Sequence, residues 1–146
     1  MTFYRRPTKV TQAFNRVMGW LASRGLTPSD TITLEVKGRR SGMIRSNVVT
    51  WVEQDEERYL VSPRGESEWV RNVRAAGGDA VIRRRGGRKA RLEEVRTEER
   101  APIIKAYLAK TAKATRQHFG VNPKAEIEEF EAISARHPVF RIVMID

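Results

Sequence analysis

The chain has 146 residues, 40% of them hydrophobic and 8% aromatic, the make-up of one folded domain spanning 1–146 with a core of its own. It contains no cysteine, which excludes disulfides, thiolate metal sites, cysteine-ligated iron–sulfur clusters and cysteine nucleophiles. Lys and Arg number 28 against 18 Asp and Glu, and the net charge of +10 calls for an anionic partner: nucleic acid, an anionic membrane, or a phosphorylated or polycarboxylate ligand.

In chain order, "PTKVTQAFNRVMGWLASRG" is predicted as the first helix. Val10, Phe14, Val17, Met18 and Leu21 recur at helical spacing, with Thr8 as N-cap and Gly25 as the stop. Arg5, Arg6 and Lys9 flank it, so the helix either packs on the core or forms an arm that touches a membrane. "TITLEVK" alternates Ile32, Leu34 and Val36 with polar residues and reads as a half-buried strand. "MIRSNVVTWVE" is a second strand, "QDEE" a polar turn, and "RYLVS" a third strand ending at Pro63.

"SEWVRNVRAAGG" is predicted as a short helix. Ser67 is its N-cap, Trp69, Val70 and Val73 point inward, and Gly77 ends it. "DAVIRRR" and "RKARLEEVR" form a hairpin around Gly86 and Gly87, which would supply the positive-φ turn. A helix capped by Thr97, with Pro102 in its first turn, buries Ile103, Ile104, Tyr107 and Leu108. A further helix is expected in "NPKAEIEEFEAIS", with Asn122 as N-cap and Pro123 at the first helical position. "PVFRIVMI" is the sixth strand. Consecutive strands joined by short turns pair antiparallel. The fold class is therefore α+β, mainly β: a six-stranded antiparallel closed or split β-barrel with peripheral helices.

Motifs for chemistry are sparse. The sequence has no GxGxxG after a strand and no GxxxxGK[ST]. His118 and His137 lack metal-ligand spacing, and His137, before Pro138 at a strand start, reads as a solvated turn residue. A catalyst with so little side-chain chemistry needs a cofactor to carry the reaction. Two stretches stand out. In "GRRSG" two glycines bracket Arg39, Arg40 and Ser41, an arrangement that suits either a phosphate cradle or a solvated hairpin tip. Arg45 and Asn47, two residues apart, share one strand face. In "LVSPRGESEWVRNVRAAG" a strand turns through Pro63–Gly65 into a helix whose N-terminus favours anions, and Trp69 is either a core anchor or part of a pocket.

With "GRRSGMIRSN", "LVSPRGES" and "WVRNVRAAG" in this order, the chain resembles the deazaflavin-dependent nitroreductase family of the flavin-binding split-barrel superfamily. The resemblance runs from about Ile32 to Val95 and includes the closing "PVFRIV". It implies a six-stranded split barrel and coenzyme F-420 as cofactor. It places the cofactor phosphate at Arg39, Arg40, Ser41 and Gly42. The strand through Arg45, Asn47, Val48 and Thr50 would run along the cofactor, and Val61, Ser62, Pro63, Arg64 and Gly65 would lie against its ring. Trp69 and Asn72 would complete the wall. Ser62, His118 and Phe119 are the substrate-pocket candidates, the last two standing where nitroimidazole-reducing members carry substrate-facing tyrosines. The implied reaction is hydride transfer to an electron-poor small molecule, a quinone, enone or nitro compound.

Two alternatives stay open. One keeps the barrel and binds FMN. The other is nucleic-acid binding through "RRRGGRKAR", Arg83 to Arg91, which has the phosphate-contacting charge but no aromatic for base stacking. Specific nucleic-acid binding is not expected. With no run near the roughly 20 apolar residues of a membrane span and no signal-peptide pattern, a soluble cytoplasmic protein is expected. It would be a monomer or homodimer, with the N-terminal helix as its possible point of membrane contact.

Overall fold

The computed structural model describes residues 30–145. The predicted N-terminal helix lies outside them. Six strands carry the fold: β1 Thr31–Lys37, β2 Ile44–Gln54, β3 Glu57–Val61, β4 Asp79–Arg83, β5 Gly87–Glu94 and β6 Val139–Met144. Three helices accompany them: α1 Glu68–Ala75, α2 Ala101–Phe119 and α3 Ile127–Ile133. All strand pairs are antiparallel, and the order β1-β2-β3-β6-β5-β4 closes into a barrel. This is the six-stranded barrel expected from the alternation pattern.

The period-two alternation sorts the side chains into two cores. Ile32, Leu34 and Val36 of β1, Leu60 of β3, Ile82 of β4, Leu92 of β5 and Phe140 and Ile142 of β6 fill the interior. The apolar face of α1 joins them there: Trp69, Val70 and Val73 are buried in the same cluster. The second core lies outside the barrel wall. Val52, Val61 and Val139 pack there against Ile103, Ile104, Tyr107, Leu108 and Phe119 of α2 and Phe130 and Ile133 of α3.

An ionic cluster ties these layers together. Arg74 of α1 binds Glu66 at 2.5 Å and Glu94 of β5 at 2.7 Å. Arg100, buried just before α2, reaches Glu94 at 3.1 Å and donates to the carbonyls of Val95 and Ser134. Burial pulls the Arg100 pKa down, and these acceptors, with the nearby Glu66 and Glu98 charges, offset that cost.

Local expectations change in four places. The helix expected from Asn122 starts later, at Ile127. Asn122 instead accepts from the Lys124 N–H through its side chain and from the Ala125 N–H through its carbonyl, which closes a local turn. Thr97 opens a short 3-10 turn, Thr97–Glu99, and Arg100 occupies the cap position of α2. The positive-φ pair of the β4–β5 hairpin is Arg85 and Gly86, not Gly86 and Gly87. His137 is 1% exposed rather than solvated: its ring packs 4.4 Å from Phe119, and its Nδ1 donates to the Ser62 carbonyl at 3.1 Å.

Candidate functional site

The "GRRSG" stretch is the β1–β2 connection, and its geometry is that of a closed loop. The Gly38 N–H donates to the Met43 carbonyl at 2.7 Å, and the Gly42 N–H to the Gly38 carbonyl at 2.9 Å. Ser41 Oγ accepts from the Met43 N–H at 3.1 Å. Gly42 has φ +74°, a value that a side chain would strain. At Gly38 a Cβ would lie 3.0 Å from Ser41 Oγ and 3.1 Å from the Met43 carbonyl oxygen, so the loop folds tightly on itself only with glycine there.

The loop lies along α1. The Arg39 N–H donates to Asn72 Oδ1 at 3.1 Å, and Arg39 Nη1 donates to the same oxygen at 2.8 Å and to Glu68 Oε2 at 2.7 Å. Arg39 is thereby committed to the helix, and its hydrogen bond holds the Glu68 carboxyl below the usual carboxylate range. The amides of Arg40 and Ser41 donate to no acceptor among the described residues. The side chains of Lys37, Arg40 and Arg45 make no hydrogen bond or ion pair among them, and Arg40 adds to the field that lowers the Glu68 pKa. Two adjacent N–H groups without an acceptor among the described residues and three cations thus gather at one loop.

A cleft of about 420 Å³ opens here, lined by Lys37, Gly38, Arg39, Arg40, Ser41, Gly42, Ala75 and Ala76. Arg39, Arg40, Ser41 and Gly42 were singled out by sequence. Lys37 and Gly38 extend the same basic run and were within reach of that reasoning. Ala75 and Ala76 carry no signal of their own, because tertiary packing alone brings them to the loop. They belong to the C-terminal end of α1, so the helix dipole opposes an anion in the cleft. Attraction comes instead from the loop amides and the three cations.

Beyond the loop, β2 pairs with β1 from Ile44 to Thr50 but with β3 only from Trp51 to Gln54. Its second edge from Ile44 to Thr50 therefore meets no strand among the described residues. Arg45 and Asn47, opposite Val36 and Leu34, are exposed. Val48 and Thr50, half-buried, point to the other side of the strand.

The remaining candidates are placed elsewhere. Ser62 is fully buried and donates to the Gly65 carbonyl at 2.6 Å, stapling the turn that Pro63 and Arg64 span. Val61 belongs to the outer core. Trp69 is 8% exposed, with its ring 5.7 Å from Phe140 inside the barrel. His118 and Phe119 are buried at the end of α2, where Phe119 also contacts the Tyr107 ring. None of these lines the cleft. In the β4–β5 hairpin, Arg83 pairs with Glu35 and Arg84 donates to the Thr31 carbonyl, which leaves Arg85, Arg88, Lys89 and Arg91 as its exposed charge. Among the described residues no group of carboxylates and histidines could hold a metal, and no helix is long and apolar enough to cross a membrane.

Solved structures share this barrel. Atu2129, a protein of unknown function from Agrobacterium tumefaciens, superposes with a TM-score of 0.55 at 15% identity over 94% of this chain, which spans 56% of that protein. A FAD-binding protein from Mesorhizobium loti gives 0.52 at 17% identity, covering 87% of this chain and 89% of its own. A structure described as a domain-swapped dimer gives 0.53 at 17% identity, covering 91% and 96%. At such identities the likeness is one of fold. No curated protein matches the sequence. Residues 5–123, which take in the loop, the open stretch of β2 and α1, match the family model described as F420H(2)-dependent quinone reductase. The chain belongs to that family of reductases, whose electrons come from reduced coenzyme F-420.

Proposed function

We propose that this protein passes a hydride from reduced coenzyme F-420 to a quinone. The observation that carries the reading is the β1–β2 loop, where the amides of Arg40 and Ser41, without an acceptor among the described residues, meet the cationic side chains of Lys37, Arg40 and Arg45. That donor set fits a phosphodiester: consecutive N–H groups bind anionic oxygens, and guanidinium groups add charge-assisted bonds. Arg40, Ser41 and Lys37 would hold the phosphate. The open stretch of β2, with Arg45 and Asn47 on one side and Val48 and Thr50 on the other, would lie alongside the rest of the cofactor.

When bound, the cofactor supplies the hydride from its deazaflavin ring. The protein contributes binding, orientation and exclusion of water. Among the described residues no carboxylic acid or imidazole lines the cleft. Burial holds His137 neutral, with a pKa lowered to about 4, and Glu68 is kept ionised by Arg39. The protein acts as a homodimer or a monomer on a small electron acceptor.

The test is stopped-flow oxidation of reduced F-420 with a soluble quinone and, in parallel, an enone and a nitroaromatic. The proposal expects saturable turnover that is fastest with the quinone. Oxidation no faster than the uncatalysed background with all three acceptors would contradict it.

A further inference from the structure

Asn72 is buried, 5% exposed, on the face of α1 that meets the β1–β2 loop. Its Oδ1 accepts twice from one residue: from the Arg39 backbone N–H at 3.1 Å and from Arg39 Nη1 at 2.8 Å. The contact bridges 33 positions of sequence and is the loop's side-chain tie to the helix at its backbone. The same guanidinium nitrogen also meets Glu68 Oε2, one turn earlier on the helix. Arg39 is thus clamped at its backbone and at its head, and its charge is compensated within the protein.

The clamp orients the rest of the loop. With the Arg39 amide turned in toward α1, the next two amides, of Arg40 and Ser41, find no acceptor among the described residues, and Gly42 closes the loop onto Gly38. Buried polar side chains are ordinarily hydrogen-bonded, and Asn72 meets that need by accepting from the loop. We infer that Asn72 is a positioning residue for anion binding: by holding Arg39 inward, it aims the Arg40 and Ser41 amides and the Arg40 guanidinium at the cofactor phosphate without touching it. Arg39, in turn, is part of the clamp and not an anion ligand. The inference rests on the F-420 reading above.

The test combines F-420 fluorescence titration with backbone 15N relaxation of residues 38–42. Asn72→Ala removes the shared acceptor. It is expected to weaken F-420 binding about tenfold, the effect of losing preorganisation equivalent to one or two hydrogen bonds. The loop, rigid in the parent, should become mobile in the variant even without cofactor. Asn72→Asp keeps an acceptor oxygen for Arg39 and is expected to recover most of the affinity. On an Arg39→Ala background, Asn72→Ala should cost clearly less than it does alone.

A purely structural Asn72 would lower thermal stability and the active fraction and leave the dissociation constant of the folded protein unchanged; that result overturns the inference. So does a loop equally mobile in parent and Asn72→Ala proteins. If the parent fails to bind F-420 while its loop stiffens through Asn72 as described, the cofactor reading falls and the clamp stands.

Discussion

His137 sits 1% exposed between Phe119 and the Ser62 carbonyl, and burial lowers its pKa from 6.5 to about 4. The native ring stays neutral where the unfolded one is charged. Between about pH 6.5 and 4 the unfolded state therefore binds more protons, and stability falls as pH falls through that window. The shift corresponds to about 3 kcal/mol at its limit. Urea midpoints at pH 7.5 and pH 4.5 should show a clear acid loss in the parent and a smaller one in His137→Gln. Equal losses would mean that His137 is solvated in solution. At the loop, Arg40 and Ser41 are exposed and contribute little to packing, so the double replacement Arg40→Ala, Ser41→Ala should leave thermal stability nearly unchanged. It should weaken F-420 binding by at least tenfold, since a charge-assisted contact is lost. An unchanged dissociation constant would return the loop to a solvated hairpin tip. The loop was legible in sequence because its composition carries its chemistry: two glycines, two arginines and a serine in five residues. Its clamp was not. Glu68 and Asn72 lie 29 and 33 positions from Arg39, and no local pattern joins them. His137 was misplaced for a related reason: a histidine before proline resembles a turn, and only the packing of Phe119 and the end of β3 around it makes the site interior.

Among the elements, α1 ranks first because it closes the barrel interior and borders the cleft. Its inward face of Trp69, Val70 and Val73 was legible from helical spacing, as were the alternating faces of β1 and the inner stripe of α2. Trp69 drew two readings, core anchor or pocket wall, and its ring packs on Phe140 inside the barrel. Trp69→Ala should therefore act through the fold, costing about 3–5 kcal/mol, a large part of the ordinary margin of a domain this size. Thermal denaturation checks this. A variant that keeps the parent melting temperature but loses F-420 affinity would show that Trp69 faces the cofactor after all. The start of α3 was misread because Asn122–Pro123 carries a strong helix-start pattern, yet the Asn122 side chain is satisfied within its own turn and the helix forms only where Phe130 and Ile133 reach the outer core. The staple at Ser62 was hidden in the same way: "SPRG" reads as an exposed turn, while its serine continues inward from the last residue of β3 and bonds Gly65.

Among the described residues, two basic groups lie at opposite ends of the barrel. The β1–β4 register runs Thr33 against Arg83 and Glu35 against Val81, so the β4–β5 tip with Arg85 lies opposite the end that carries Lys37, Arg40 and Arg45. Of these, Lys37 and Arg40 line the cleft. The six-stranded antiparallel barrel was legible because alternating segments joined by short turns pair antiparallel, whereas the strand order, with β6 between β3 and β5, was not. The separation of the two basic groups was not, since it depends on strand register. An anionic cofactor held by exposed cations is screened over about 8 Å at physiological ionic strength, so its binding must weaken with salt. The measurement that tests the central claim most directly is a side-by-side fluorescence titration of the purified protein with oxidised F-420 and with FMN, at low salt and at 0.5 M salt. The account predicts tighter binding of F-420 than of FMN at low salt, and a marked loss of F-420 affinity at high salt. FMN binding that equals or exceeds F-420 binding at both ionic strengths would contradict it.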